Sequence, residues 1–300
     1  MRLAILVLCF ALLLSGNCLA GEIFVTPVPP KQVITATVKL HIPIPVASGR
    51  DVRKNNDATI DYSNITDGYI MVKCVKKTSR GLRVIVTTPN KIDYIYPLNQ
   101  NNEFEVLPLS EGDGSYAIKI YEQMDDSQKS NKYKEILTLS INVKLPDQNT
   151  PFLYPNQFVN FNNDSLFLKK AAEFKLIKNN KAAIDAIYNY VVKNVEYDKV
   201  RAATDTLDWN IPDLDRIFTE LTGVCVDYAA LMAAMARSIG IPTKLITGYT
   251  GKTCHAWVEV YLEPSGWVRM DPTVEALARI KRNIEQFIAD DANYQQLYQF

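Results

Sequence analysis

The spacing of the apolar residues changes part-way along the chain, and this change constrains the fold more than any other feature. Before about residue 146, short runs of β-forming residues alternate with turns, as in Tyr69–Val75 and Gly81–Thr87. Beyond it, apolar residues recur at the intervals of an amphipathic helix: Ile184, Ile187, Tyr188, Val191, Val192 and Val195. The chain therefore combines a strand-rich part with a part that begins with helices.

The segment Pro146–Pro151 interrupts both patterns, because its prolines and polar residues suit neither a strand nor a helix. A chain of 300 residues is long enough for two domains. We predict an all-β sandwich at residues 21–146, a linker at 147–164 and an α+β domain at 165–300.

The first 20 residues are predicted to be a secretory signal peptide. Arg2 supplies the positive start, Leu3–Leu14 is a nearly continuous apolar run, and Cys18 and Ala20 are small residues placed for cleavage before Gly21. An uncleaved anchor and a lipid on Cys18 are the alternatives. Cleavage after Ala20 would give a secreted or cell-surface protein with no integral membrane segment.

The charges of the chain argue against a nucleic-acid partner. Lysine plus arginine and aspartate plus glutamate each number 33, so the formal net charge is zero. The sequence also lacks the Cys/His spacing of a zinc site and a glycine-rich phosphate loop. We therefore expect neither a metal nor a cofactor.

Cys225 is the candidate nucleophile. With Cys9 and Cys18 in the predicted leader, three of the five cysteines remain, and an odd number in an exported protein means at least one free thiol. Cys225 lies in Gly223–Ala229, at the start of a predicted helix that runs to Ser238. A helix start favours the thiolate form of cysteine, which is the nucleophile. A buried structural cysteine is the alternative interpretation.

His255 is the candidate base. It is one of two histidines, and we take the other, His41, to be structural. His255 begins a predicted strand with Trp257 on the same face. Imidazole titrates near neutral pH, as a general base requires.

Asp271 is the candidate for orienting that base. It ends the strand after the turn Glu263–Gly266, so a hairpin would bring it near the strand of His255. A carboxylate there can accept a hydrogen bond from the imidazole ring and fix its tautomer. An aspartate before Pro272 is also a common turn residue.

The stretch from about Ala182 to Thr273 resembles the transglutaminase-like core and is similar to papain-type cysteine enzymes in chemistry and general plan. The resemblance is carried by five elements: Tyr197-Asp198, Gly223–Ala229, Gly240-Ile241-Pro242, His255-Ala256-Trp257 and Asp271-Pro272-Thr273. It implies that Cys225 is the nucleophile, His255 the base and Asp271 the orienting acid. It does not extend to the predicted sandwich.

The resemblance also implies a reaction. Cys225 would attack a carboxamide or peptide carbonyl of a protein or peptide substrate, and the resulting thioester would pass its acyl group to an amine or to water. The scheme needs no metal or cofactor, although some relatives use calcium. The Cys225 amide would be one oxyanion donor, with Trp209 and Asn210 as candidates for the second.

Two other functions use the same fold. One is a cysteine peptidase or amidase that hydrolyses a peptide or cell-wall substrate with the same three residues. The other is a non-catalytic binding module, against which the intact set of Cys225, His255 and Asp271 argues.

Overall fold

The computed structural model describes residues 39–124, 132–204, 211–280 and 294–300. The predicted signal peptide lies outside these residues, as do Trp209 and Asn210. No helix in the described ranges is both long and apolar enough to cross a membrane. The described residues lie in one compact unit that combines α-helices with antiparallel sheets, which confirms the α+β class.

The N-terminal half consists mainly of strands. Those described are β1 Val52–Lys54, β2 Ala58–Asp61, β3 Tyr69–Cys74, β4 Leu82–Thr87, β5 Asp93–Leu98, β6 Glu105–Pro108, β7 Gly114–Gln123 and β8 Tyr133–Val143. They form two antiparallel sheets in the orders β1-β2-β3-β6 and β5-β4-β7-β8. Both sheets contribute buried residues, such as Val72, Val84 and Ile118, to one apolar core. Their packing as a sandwich stays a prediction.

The C-terminal half alternates helices and strands. Its elements are α1 Leu168–Lys175, α2 Asn180–Asn194, β9 Glu196–Tyr197, α3 Lys199–Thr204, α4 Leu214–Glu220, β10 Thr222–Gly223, α5 Cys225–Ser238, β11 Thr243–Thr250, β12 Thr253–Leu262, β13 Gly266–Met270, α6 Pro272–Ile280 and β14 Tyr294–Gln299. An antiparallel sheet has the order β13-β12-β11-β14, and β9 pairs with β10 in parallel. The predicted hairpin at Glu263–Gly266 joins β12 to β13.

Helix α5 is the centre of this half. Every residue from Val226 to Ser238 is buried, and only Cys225, the first residue of the helix, is partly exposed. A helix that is buried on all sides must be surrounded by other elements. The strands β11 and β12 pack against α5, as do the helices α1, α2, α4 and α6. The burial of α5 leaves only its first residue, Cys225, partly accessible.

The segment predicted to be a linker packs into the structure. Phe152, Phe158 and Phe161 are buried, and the Phe158 and Phe300 ring centroids are 4.2 Å apart. Phe300 also contacts Tyr94 of β5 edge-to-face at 5.7 Å. Residues from both halves thus share one core, and the domain boundaries drawn from the sequence stay a prediction.

Arg237 connects several elements to α5. Its guanidinium is fully buried and donates to the carbonyl oxygens of Thr243 at 2.8 Å, Tyr154 at 2.7 Å and Phe300 at 2.5 Å. These acceptors lie on β11, in the 147–164 segment and directly after β14. A buried charge is tolerated only when its donors have hydrogen-bond acceptors. Each of these elements must therefore place its carbonyl group against the guanidinium.

We expect Arg237→Met to lower the free energy of unfolding by about 3 kcal/mol or more, because three carbonyl groups lose their donor in the interior. Urea denaturation followed by circular dichroism measures the change. Arg216→Met is the matched control, because Arg216 pairs with Glu220 on the exposed side of α4. It should cost less than about 0.5 kcal/mol. Similar small losses in both variants would contradict the connecting role of Arg237.

Candidate active site

A buried carboxylate fixes the turn that presents Cys225. Asp227 Oδ2 accepts from the Val224 amide at 2.9 Å and from the Arg201 guanidinium of α3. Gly223 is needed here, because a Cβ at this position would overlap the Asp227 side chain. This turn places Cys225 first in α5, where the amide groups of a helix have no acceptor within the helix.

His255 reaches Cys225 from the neighbouring sheet. It lies on β12 opposite Gly248 of β11, and its side chain is almost fully buried. His255 Nε2 lies 2.6 Å from Asp271 Oδ2, and the ring lies close enough to Cys225 for that side chain to raise the pKa of the imidazole. Trp257 is buried and stacks beside the imidazole, with centroids 6.2 Å apart and planes 25° apart.

Both carboxylate oxygens of Asp271 accept hydrogen bonds. Its Oδ1 accepts from the amides of Thr273 at 3.1 Å and Val274 at 3.0 Å, so it caps α6. Its Oδ2 faces His255. From α2, Tyr188 Oη donates to the Asp271 carbonyl oxygen at 3.0 Å. The Asp271 carboxylate is therefore held by its own turn, and the Asp271 backbone is held by a distant helix.

The structure adds one residue that the sequence did not suggest. Tyr294 Oη donates to Asp271 Oδ2 at 2.8 Å, so this oxygen contacts both Tyr294 and His255. Tyr294 begins β14, 23 positions beyond Asp271. Nothing local distinguishes it from the other tyrosines among the 16 in the chain.

The electrostatics of the site favour an imidazolium. Burial by itself would lower the pKa of His255, but the interactions with Asp271 and Cys225 outweigh burial and raise the pKa to about 10. Burial would raise the pKa of Asp271, but the bonds from His255, the Val274 amide and Tyr294 outweigh it and keep the pKa below its usual value. An ionised Asp271 can only accept, so His255 Nε2 donates to it and Nδ1 is left for Cys225.

The two other cysteines of the described residues lie in less favourable surroundings. Cys74 is buried and Cys254 partly buried, and both are free. Burial raises the pKa of each thiol, and for Cys254 the nearby Cys225 raises it further. Both thiols should therefore be mainly protonated near neutral pH.

Residues 169–272 match the sequence profile of the Transglutaminase-like superfamily. The matched range contains Cys225, His255 and Asp271, and it ends before Tyr294. Residues 169–272 thus constitute a transglutaminase-like domain.

Two curated proteins are similar to parts of this chain. A Protein-glutamine gamma-glutamyltransferase from Pseudomonas aeruginosa is 35% identical over 95 residues, which cover 27% of this chain and 14% of that protein. The Uncharacterized protein YebA from Bacillus subtilis is 30% identical over 111 residues, covering 26% of this chain and 15% of that protein. The chain thus matches only a small part of the length of these relatives.

Among solved structures, a Cytophaga hutchinsonii protein described provisionally as a cysteine protease is similar at 19% identity and a TM-score of 0.41. The alignment covers 75% of this chain and 73% of that one.

We expect His255 to stay protonated well above neutral pH, with a transition near pH 10. Histidine-selective ¹³C labelling followed by NMR titration measures this directly, because the chain has 2 histidines and a His41→Gln variant assigns the signals. Asp271→Asn should move the transition to lower pH, since the asparagine carries no charge to hold the proton.

The sign of the stability effect follows from the same shift. The folded pKa of His255 lies above that of the unfolded chain, so its contribution to stability is complete below about pH 6.5. The contribution is lost as the pH rises toward about 10. A His255 transition near pH 6.5, unchanged in Asp271→Asn, would contradict the ion pair.

Proposed function

We propose that this protein is a thiol-dependent acyltransferase that acts on carboxamide groups of proteins or peptides. The observation that carries the proposal is the position of His255, which lies 2.6 Å from Asp271 Oδ2 and close enough to Cys225 for the two side chains to interact. This is the order of nucleophile, base and orienting acid that covalent acyl transfer requires. The name of the Pseudomonas aeruginosa relative, a glutamine-directed transferase, supports a carboxamide substrate.

In the first half-reaction the Cys225 thiolate attacks the carboxamide carbon, and a C–S bond forms. The Cys225 backbone amide at the start of α5 is the proposed donor to the oxyanion. As the C–N bond breaks, the His255 imidazolium gives its proton to the departing ammonia. The products are a thioester on Cys225, free ammonia and a neutral imidazole still held by Asp271.

In the second half-reaction an amine attacks the thioester carbon. His255 now accepts the proton of the attacking amine, a new amide bond forms, and the C–S bond breaks to return the thiolate. Asp271 stabilises the imidazolium at the start and at the end of the cycle, because its low pKa keeps it ionised throughout. Water in place of the amine would give a carboxylic acid, so hydrolysis uses the same residues.

Incubation with glutamine-containing peptides and a primary amine should give the substituted amide, detected by mass spectrometry. Cys225→Ala and His255→Ala should each lower the rate on the order of a thousandfold, and the double variant should lower it little further, because the two residues act as a unit. Asp271→Asn should cost less, since only orientation and tautomer are lost. Cys254→Ala is the matched control and should retain activity.

The product of this incubation distinguishes the three candidate functions. Amide product supports the acyltransferase, whereas release of the free acid alone would make the protein a peptidase or amidase. Near-normal turnover in His255→Ala would rule out the proposed chemistry. If no product forms, iodoacetamide separates the remaining cases: slow labelling of Cys225 relative to Cys74 and Cys254 would favour a non-catalytic binding module.

We further propose that the protein acts outside the cytoplasm, secreted or at the cell surface. The proposal rests on the charged start, apolar run and small residues of the first 20 positions. Mass analysis of the exported protein should show a chain that begins at Gly21. A lipid-modified Cys18 would instead indicate a membrane-anchored protein, and an intact Met1 would remove the support for cleavage.

A further inference from the structure

Tyr294 shares an acceptor atom with the candidate base. Asp271 Oδ2 receives hydrogen bonds from His255 Nε2 at 2.6 Å and from Tyr294 Oη at 2.8 Å. The other carboxylate oxygen is occupied by two amides of α6. Tyr294 therefore donates to the same oxygen that accepts from His255. Loss of the Tyr294 hydrogen bond would leave more negative charge on that oxygen to stabilise the His255 imidazolium.

The ring of Tyr294 is held on more than one side. The Arg269 guanidinium of β13 lies over the ring, 4.2 Å from its centroid. The Trp257 ring meets it edge-to-face at 5.0 Å, with an interplanar angle of 80°. Together these contacts fix the direction in which the hydroxyl points, so the hydrogen bond to Asp271 is preorganised.

A β-bulge directs Tyr294 toward the site. Along β11, Thr247 pairs with Tyr298 but Gly248 pairs with Gln296, which leaves Leu297 as an extra residue in β14. An extra residue inverts the alternation of side chains. Tyr294 and Tyr298 would share a face in a regular strand, and the bulge places them on opposite faces.

The contacts of the two tyrosines agree with this register. Tyr298 packs against Tyr94, with centroids 5.0 Å apart, whereas Tyr294 packs beside Trp257 and Asp271. Gly248 allows the close approach of β14, because a Cβ there would overlap the Gln295 carbonyl oxygen. Together, the bulge and Gly248 place Tyr294 beside Asp271 and Tyr298 against the core.

We propose that Tyr294 is a positioning residue whose hydroxyl fixes Asp271 Oδ2 and, by donating a hydrogen bond, reduces the negative charge on that oxygen. The His255 imidazolium then remains acidic enough to protonate the leaving ammonia. This inference rests on the proposed function. The group acts through Asp271 and need not touch the substrate. A more basic Asp271 would hold the imidazole proton more tightly, which makes a weaker general acid.

The test is Tyr294→Phe, which removes one hydroxyl and keeps the ring between Arg269 and Trp257. In the NMR titration, the His255 transition should move to higher pH by about 0.5, because Asp271 Oδ2 loses a donor. The kcat for amide formation should fall about tenfold with KM unchanged, in keeping with the loss of one hydrogen bond. In the Asp271→Asn background, Tyr294→Phe should have little further effect.

Tyr298→Phe is the matched control, since it makes the same change on the same strand but on the opposite face. It should leave both the His255 titration and kcat unchanged. An unshifted or lowered His255 transition in folded Tyr294→Phe would overturn the inference, as would equal effects of the two variants. The titration needs no substrate, so it judges Tyr294 even if no acyl transfer is found and the proposed function fails.

Discussion

The burial of α5 on every side is the constraint on which the rest of the structure depends. A helix rich in alanine and methionine has no polar face to turn toward water, so strands and helices must enclose it. Its first residue is then the part that remains partly exposed. The same burial that stabilises the domain therefore leaves Cys225, at the partly exposed end, as the accessible residue of the helix.

Enclosing α5 requires residues that are distant in the chain to meet. Arg237 supplies one such junction, because its three donors match carbonyl groups from three separate segments. The strand β14 supplies another, since Gln299 donates from its backbone amide to Tyr94 Oη of β5. The sheet that contains β5 thus helps to fix the strand that carries Tyr294.

Asp271 shows how local and long-range structure combine at one side chain. One of its oxygens caps α6, a role that the sequence Asp271-Pro272-Thr273 favours by itself. The other oxygen is shared by His255 and Tyr294, which arrive on two different strands. The cap holds the carboxylate in place. The two distant donors stabilise its ionised form, and the ionised carboxylate in turn stabilises the His255 imidazolium.

The sequence by itself determined the α+β class, the start of the helix at Cys225 and the hairpin that brings Asp271 near the strand of His255. Each of these depends on local periodicity, on turn residues or on a short motif. Only the tertiary structure decided that residues 147–164 pack into a common core, that Arg237 joins three segments and that Tyr294 reaches Asp271. These features depend on contacts between distant residues and on a bulge in β14. Neither leaves a periodic signal in the chain, because one extra residue in a short strand looks like ordinary sequence until its partner strand fixes the register.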